Sequence, residues 1–290
     1  MKFENIAVYN FEGALRGMRN PKNSHHLSDS KYTFCKEDEY TSKEIAYKWT
    51  LNKYKDLAIG GAAFELKALE YQKWLNKNGI LNKKNGICDC AFIGPDDMRL
   101  MKVLIKGGSE HRKFLRQIQV SVDITAPLYW WKEFDTYKIG TTANSTSTMH
   151  KIQSIPITLE SFEIDDYNEF SEEHKIFVKN LIDYCEGLRK SYNNLIELSK
   201  NTELSDQIRE DAKHRAKIVW KELIRWLPEG WLQTRTITFN YENLISMFKQ
   251  RCMFHKLNEW CGKECDTPTF RKFILSLPYM EDILLLYENN

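Results

Sequence analysis

The chain has 290 residues, with 42 Lys and Arg against 40 Asp and Glu and a formal net charge of +2. That length gives room for a sizeable buried core in one large or two small domains, and a hydrophobic content of 42% excludes wholesale disorder. A charge so near balance sets up no general field for polyanions, which excludes a nucleic-acid coat or a membrane-surface role and leaves any anion to be met by a local cluster.

The opening residues are broken by charges and do not read as a signal peptide, and no apolar run approaches a membrane span. Seven cysteines, an odd number, suit reduced thiols better than a disulfide framework, so a cytoplasmic location is expected. In chain order, Ile6–Phe11 reads as a short strand, followed by a helix start near Phe11. Residues 20 to 45 read as a polar surface loop, and residues 42 to 79 as helix in two pieces split at Gly60-Gly61. That glycine pair lacks the strand, third glycine and distal acid of a dinucleotide fingerprint. Residues 94 to 108 read as a helix, with Pro95, Asp96 and Asp97 in its first turn and glycines after its end.

From Gln117 to Pro127 the pattern alternates. Ile118, Val120, Val122 and Ile124 fall on one face and Gln119, Ser121 and Asp123 on the other, as in a half-buried strand. A helix is expected from Pro127. The stretch from Gly140 to Thr148 is uncharged and rich in hydroxyls, which suits either a linker or a polar cradle. Residues 154 to 164 look strand-like. Ser171 is an expected N-cap, with Glu172 and Glu173 in the first turn. Leu181, Cys185, Leu188, Tyr192 and Leu195 form one apolar stripe, and Ile208, Ala212, Ala216, Val219, Leu223 and Trp226 a second that stops at Pro228. Both stripes read as packed core. A short strand over residues 234 to 239 leads into a third helix from Asn240.

That third helix carries the sharpest signal. At about 100° per residue, Leu244, Met247, Arg251 and His255 share one face, and Asn240 lies within about 20° of Arg251. A guanidinium and an imidazole therefore interrupt a stripe that should bury, and a buried Arg has to meet an anion, a carbonyl or a ligand. Plainer readings stand beside this one: Asn240 as a helix cap, Arg251 paired with a structural carboxylate, His255 as a core histidine. Cys88, Cys90, Cys261 and Cys265 lack the usual zinc spacing, so no metal site is expected. With no nucleophile elbow or P-loop in the chain, any chemistry falls to a cofactor.

The C-terminal third resembles the flavin-dependent thymidylate synthases. Leu227-Pro228, the stretch from Trp231 to Phe239, Asn240, Arg251 and His255 keep that family's order and spacing, and residues 267 to 284 look like its terminal helix. Upstream, residues 94 to 114 and 126 to 134 are similar to the lead-in to the family signature, Arg-His-Arg-x-x-Ser-x-Asn-Glu-x-Ser-x-Arg. The corresponding residues here run from Thr136 to Met149. Asn144 and Ser147 survive and Thr141 keeps a hydroxyl. Thr136, Lys138, Tyr137, Ser145 and Met149 replace the arginines, the histidine and the glutamate.

The resemblance implies an α+β fold, a mainly antiparallel sheet with a long helical layer. It implies one domain over residues 1–290, with an insertion at 31–92 and a helical part from 171. It implies methylation of a pyrimidine deoxynucleotide, by default dUMP to dTMP, with FAD as cofactor and NADPH and methylenetetrahydrofolate as co-substrates, in a homotetramer. On this reading Arg251 is catalytic, holding and polarising the base. Lys132, Glu133, Ser147, Arg225 and Arg251 contact the nucleotide, while His111, Tyr137, Lys138, Ile139, Asn144, Asn240 and His255 line the flavin. The second reading is a re-purposed or non-enzymatic member of the same fold that binds a nucleotide or flavin.

Overall fold

A computed structural model describes residues 1–30, 32, 65–66, 69, 86–88, 93–262 and 267–288. The expected insertion at 31–92, the helical pieces within it, Cys90 and Cys265 lie largely or wholly outside the described residues. The described chain is a mixture of helices and one five-stranded sheet, an α+β fold, with strand order β2-β1-β3-β5-β4. It falls into two compact units. A core unit comprises Phe3–Asp123, Ile139–Thr142 and Ile237–Asn290, and a hairpin unit comprises Met1–Lys2, Ile124–Lys138 and Ala143–Thr236.

In the core unit, β1 (Lys2–Tyr9) ends at Asn10, whose φ of 68° turns the chain directly into α1 (Phe11–Arg19). Phe11, Ala14, Leu15 and Met18 bury one face of α1. β2 (Gly86–Cys88) runs parallel to β1, with Ile6 opposite Gly86. α2 (Pro95–Lys106) starts as expected, with proline in its first turn. Its cap comes from far away in sequence: the Asp29 carboxylate accepts the Asp96 and Asp97 amides at 3.0 and 3.1 Å.

Asp97 is fully buried. Arg19 Nε donates to one oxygen at 2.5 Å, and the Ser28 and Ser30 hydroxyls donate to the other at 2.6 and 2.5 Å. A buried carboxylate with both oxygens engaged in this way is the arrangement in which an internal ion pair holds loops rather than weakening the fold.

The alternation expected for residues 117–127 becomes β3 (Gln119–Pro127), where Val120, Val122, Ile124 and Ala126 are all inaccessible. β5 (Leu232–Asn240) runs antiparallel to it: Tyr241 donates to the Ile118 carbonyl at one end, and the Thr125 and Thr234 hydroxyls meet at the other.

In the hairpin unit, β3 feeds α3 (Leu128–Phe134), which buries Trp130, Trp131 and Phe134 in mutual ring contact. The hydroxyl-rich run forms the edge strand β4 (Thr142–Ser145), and Ser147 then caps the short helix α4 (Thr148–Lys151). Residues 154–164 are not the strand expected of them. Thr158 and Ser161 close a reciprocal capping box around a 3-10 turn, and Phe162 makes a single bridge to Trp231.

α5 (Glu172–Lys200) and α6 (Asp206–Trp226) follow as a long pair, capped by Ser171 and Ser205. Their middles bury as the stripes predict, at Cys185, Ala212, Ala216 and Leu223. The ends of the α6 stripe, Ile208 and Trp226, stay about half exposed. Among the described residues no helix is long and apolar enough to cross a membrane.

The third predicted helix is shorter than its pattern. α7 (Tyr241–Arg251) stops at Arg251, and α8 (Asn258–Cys261) is a separate turn. The core unit closes with α9 (Phe270–Ser276) and α10 (Met280–Glu288).

Candidate functional site

Along α7 burial changes with position: Leu244 and Met247 are inaccessible, while Arg251 in the last turn is half-buried and His255 lies just beyond it. The helix stops there because its C-terminus is clasped. Arg271 Nη1 donates to the Cys252 carbonyl at 3.0 Å, and its guanidinium lies 4.9 Å from the Phe248 ring centre. Cys252 is a buried thiol that desolvation pushes up to about 12, so it acts as packing. The chain then reverses, and Leu257 and Trp260 bring the imidazole back toward the helix end.

Arg251 Nη1 lies 3.2 Å from His255 Nε2, and the Leu257 amide donates to Nδ1 of the same ring at 3.1 Å. A neutral imidazole accepts at one nitrogen only. The ring's tautomer sets which of the two bonds it accepts. The Arg251 guanidinium and the imidazole edge lie side by side at the end of α7, and a guanidinium there can donate to a carbonyl or anionic oxygen. Trp260 backs the pair, 5.9 Å from the guanidinium carbon and 6.1 Å from the imidazole centre. Cys261 adds a thiol hydrogen bond to the His255 carbonyl at 2.8 Å.

At the other end of α7, Asn240 is the cap. Its Oδ1 accepts the Asn243 amide at 3.0 Å while Asn243 Oδ1 accepts the Asn240 amide at 3.2 Å. Asn243 Nδ2 donates to the Ile139 carbonyl at 2.9 Å. Beside it Gly140 has φ 74°, and a Cβ there would lie 2.9 Å from Asn243 Oδ1 and 3.1 Å from Asn240 Nδ2, so this backbone approach requires glycine. The Ile139 side chain is 90% exposed. His111 is exposed beside Gly107, in the turn after α2. Its neighbour Arg112 and, further on, Arg116 share the Glu242 carboxylate at 3.0 and 2.7 Å, and burial with Arg112 nearby lowers the Lys249 pKa.

The other predicted contacts belong to the hairpin unit. Lys132 Nζ donates to Glu229 at 2.6 Å, Glu133 is half-buried on α3, and Arg225 is exposed in the last turn of α6. Tyr137 packs 6.5 Å from Phe134, Lys138 and Asn144 are exposed, and the Ser147 hydroxyl accepts the His150 amide at 3.2 Å. The structure therefore gathers the predicted residues into two sets. Arg251 with His255, Asn240 with Ile139, and His111 lie in the core unit; Lys132, Glu133, Tyr137, Lys138, Asn144, Ser147 and Arg225 lie in the hairpin unit.

Sequence reasoning missed Trp260, Leu257 and Asn243, which hold Arg251, His255 and Asn240. The Asn-x-x-Asn spacing at 240 and 243 was the one available signal, since it is the spacing of a reciprocal cap. It also missed Arg235, which donates to Asp135 at 2.7 Å and to Gln233 at 3.0 Å and stacks 4.3 Å from the Trp131 centre.

Neither a family model nor a curated protein matches the chain. Its structure is similar to two of the flavin-dependent thymidylate synthase ThyX from Helicobacter pylori, described with FAD and dUMP. One has 13% identity and a TM-score of 0.40, covering 88% of this chain and 97% of that one. The other has 13% identity and a TM-score of 0.43, covering 87% and 96%. A UMP/dUMP methylase, PolB from Streptomyces cacaoi, bound with 5-Br dUMP, has 12% identity and a TM-score of 0.38, covering 68% of this chain and 74% of that one. Similarity at this level assigns no residue of this chain a role; that falls to the contacts described above.

Proposed function

We propose that this chain binds a pyrimidine deoxynucleotide together with FAD and methylates the base, by default dUMP to dTMP, with methylenetetrahydrofolate as the carbon source and NADPH as the reductant. The observation that carries this reading is the Arg251 guanidinium, half-buried beside His255 and Trp260 at the end of α7. The ring carbonyls of a uracil and of a flavin are acceptors of the kind a guanidinium complements. Asn240 Nδ2, against Gly140, is a further donor in the same unit and suits a flavin carbonyl.

FAD, when bound, supplies the hydride of the reaction. The chain's own contribution is positional and electrostatic. The Arg251 guanidinium holds a base carbonyl and stabilises negative charge as the ring becomes nucleophilic. His255, whose Nδ1 meets the Leu257 amide, positions that guanidinium through Nε2. Asn240 and Ile139 line the flavin, with Tyr137, Lys138, Asn144 and His111 in the same role, and Lys132, Glu133, Ser147 and Arg225 reach the nucleotide. Assembly as a homotetramer in the cytoplasm belongs to the same reading.

The test is the flavin absorbance of the purified chain before and after adding FAD, together with dUMP titration. Uptake of FAD and binding of dUMP are expected, and Arg251→Ala should weaken dUMP binding or turnover by about 10²–10³-fold while the protein stays folded. A colourless protein that takes up no FAD would end the reading. A second, binding-only reading is favoured by Thr136, Lys138 and Met149, which stand where the resembled signature has arginines. It predicts dUMP and FAD binding without exchange of the base C5 hydrogen.

A further inference from the structure

Strand β4 is last in the sheet and exposed along its length, so it is paired on one side only. The residues that follow it, Thr146, Ser147 and Thr148, line a cavity of about 380 Å³ in the hairpin unit, together with Gln233 and Thr234 of β5. A segment leaving a singly paired edge strand keeps one conformation only if something further ties it down.

Two residues of β5 provide the tie. The Thr146 amide donates to the Thr234 carbonyl at 2.9 Å. Gln233 Nε2 donates to the Thr146 carbonyl at 3.0 Å and to Thr148 Oγ1 at 3.3 Å, so Ser147 stands between two anchored neighbours. A carboxamide can turn end over end, and the reversed form would set its oxygen against the Thr146 carbonyl and lose that bond. Arg235 decides the direction. Its Nε donates to Gln233 Oε1 at 3.0 Å, and because a guanidinium only donates, the amide oxygen faces Arg235 and the nitrogen faces the segment.

Arg235 is itself fixed on two further sides. Its Nη1 donates to Asp135 at 2.7 Å, and its guanidinium lies 4.3 Å from the ring centre of buried Trp131. The Trp131 indole N–H closes the group by donating to the Gln233 carbonyl at 2.9 Å. The Arg235 side chain is only 15% exposed, which separates it from the surface ion pairs that hold nothing in place. A planar guanidinium can stack and donate in two directions at once, whereas an ammonium cannot.

We propose that Arg235 is a positioning residue of the nucleotide site: through Gln233 it fixes the segment Thr146–Thr148, and so the direction in which Ser147 is presented. Resting on the reading of Ser147 as a nucleotide contact, this role adds no contact between Arg235 and the ligand. Each link has its own chemical requirement. Position 235 needs the guanidinium plane, position 233 needs an oxygen and a donor on one side chain, and position 135 needs only an acceptor. Glutamate at 233 would keep the link to Arg235 and lose both donors to the segment, while asparagine at 135 would keep an oxygen for Nη1.

Amide hydrogen exchange and dUMP titration of the full chain with FAD test it on Arg235→Lys, Gln233→Glu and Asp135→Asn. In the first two, the amides of residues 146–150 should exchange about tenfold faster and dUMP should bind about tenfold more weakly, with exchange along α5 and α6 unchanged. Asp135→Asn should stay within about threefold of the parent in both measurements. Unchanged exchange over residues 146–150 in Gln233→Glu overturns the role, and so does full dUMP affinity despite faster exchange there. Faster exchange along α5 and α6 as well makes Arg235 a structural residue and overturns it too. A parent chain that binds no dUMP, with residues 146–150 still loosened by Gln233→Glu, counts against the reading of Ser147 as a nucleotide contact and not against the Arg235–Gln233 tie.

Discussion

Arg251 and Asn240 sit at opposite ends of one helix and do different work there, so their substitutions should separate. Asn240 is the N-cap in a reciprocal box, and Asn240→Ala should cost about 1 kcal/mol of stability, read by chemical denaturation. Arg251 is half-buried against Trp260 and faces an imidazole rather than closing the helix, so Arg251→Ala should change ligand binding far more than unfolding. Denaturation and dUMP titration on both variants check the contrast; loss of folding in Arg251→Ala would make it a structural residue. Gly140 offers a third separation. With φ 74° and an asparagine oxygen 2.9 Å from the Cβ position, Gly140→Ala should destabilise by about 1–3 kcal/mol through backbone strain and displace Asn243.

The long α5–α6 pair is held to the loop before it by one carboxylate. Glu186 takes Arg189 through both oxygens at 2.7 Å and accepts the Ile157 amide at 2.8 Å. Arg189 Nη1 in turn donates to the Gln153 carbonyl at 2.9 Å, which ties residues 153–157 to the helix. The Arg189 hydrogen bonds hold the Glu186 carboxyl at about 2, below its usual 4.5. Because the folded value is depressed, the stability it gives is complete above pH 4.5 and is lost as pH falls toward 2. At 14% exposure that contribution is on the order of 2–3 kcal/mol. Glu186→Gln should therefore lower stability at neutral pH by about that much and flatten the acid limb between pH 4.5 and 2, measured by urea denaturation across pH. In the same element Leu223→Ala, at a position with no exposure, should cost about 2–5 kcal/mol.

At the scale of the molecule, the contacts that fix the core unit join residues far apart in the chain, with Arg19, Ser28 and Ser30 on Asp97 as the clearest case. Asp97→Ala leaves a buried guanidinium and two hydroxyls without their acceptor and should destabilise by about 3–5 kcal/mol; a thermal midpoint close to the parent's would count against that view. None of this network is legible in the sequence, because nothing in the pattern around Asp97 says which loop returns to it. What local pattern does foretell is the alternation of β3, proline at the start of α2, and the serine cap of α5. Those are decided by steric and hydrogen-bonding rules acting over a few residues. Where the expectation failed, distant partners intervened. The apolar period of α7 continues past Arg251 with no Gly or Pro to stop it, yet Arg271, nineteen residues beyond Cys252, takes the carbonyl there and the chain turns. Residues 154–164 look like a strand, yet the bridge from Phe162 to distant Trp231, with a local Thr158–Ser161 box beside it, bends them into a turn. By itself the sequence determined the mixed α+β class, most of the elements and the choice of Arg251, Asn240 and His255 as residues that do not belong on an ordinary buried stripe. The tertiary structure alone decided that Arg251 and His255 face each other, that Asn240 is occupied as a cap, and that the hydroxyls of residues 146–148 border a cavity that Lys2 and Lys151 also line. Periodicity records which side of an element is buried, and the partner on that side is set by chain segments that local rules never compare.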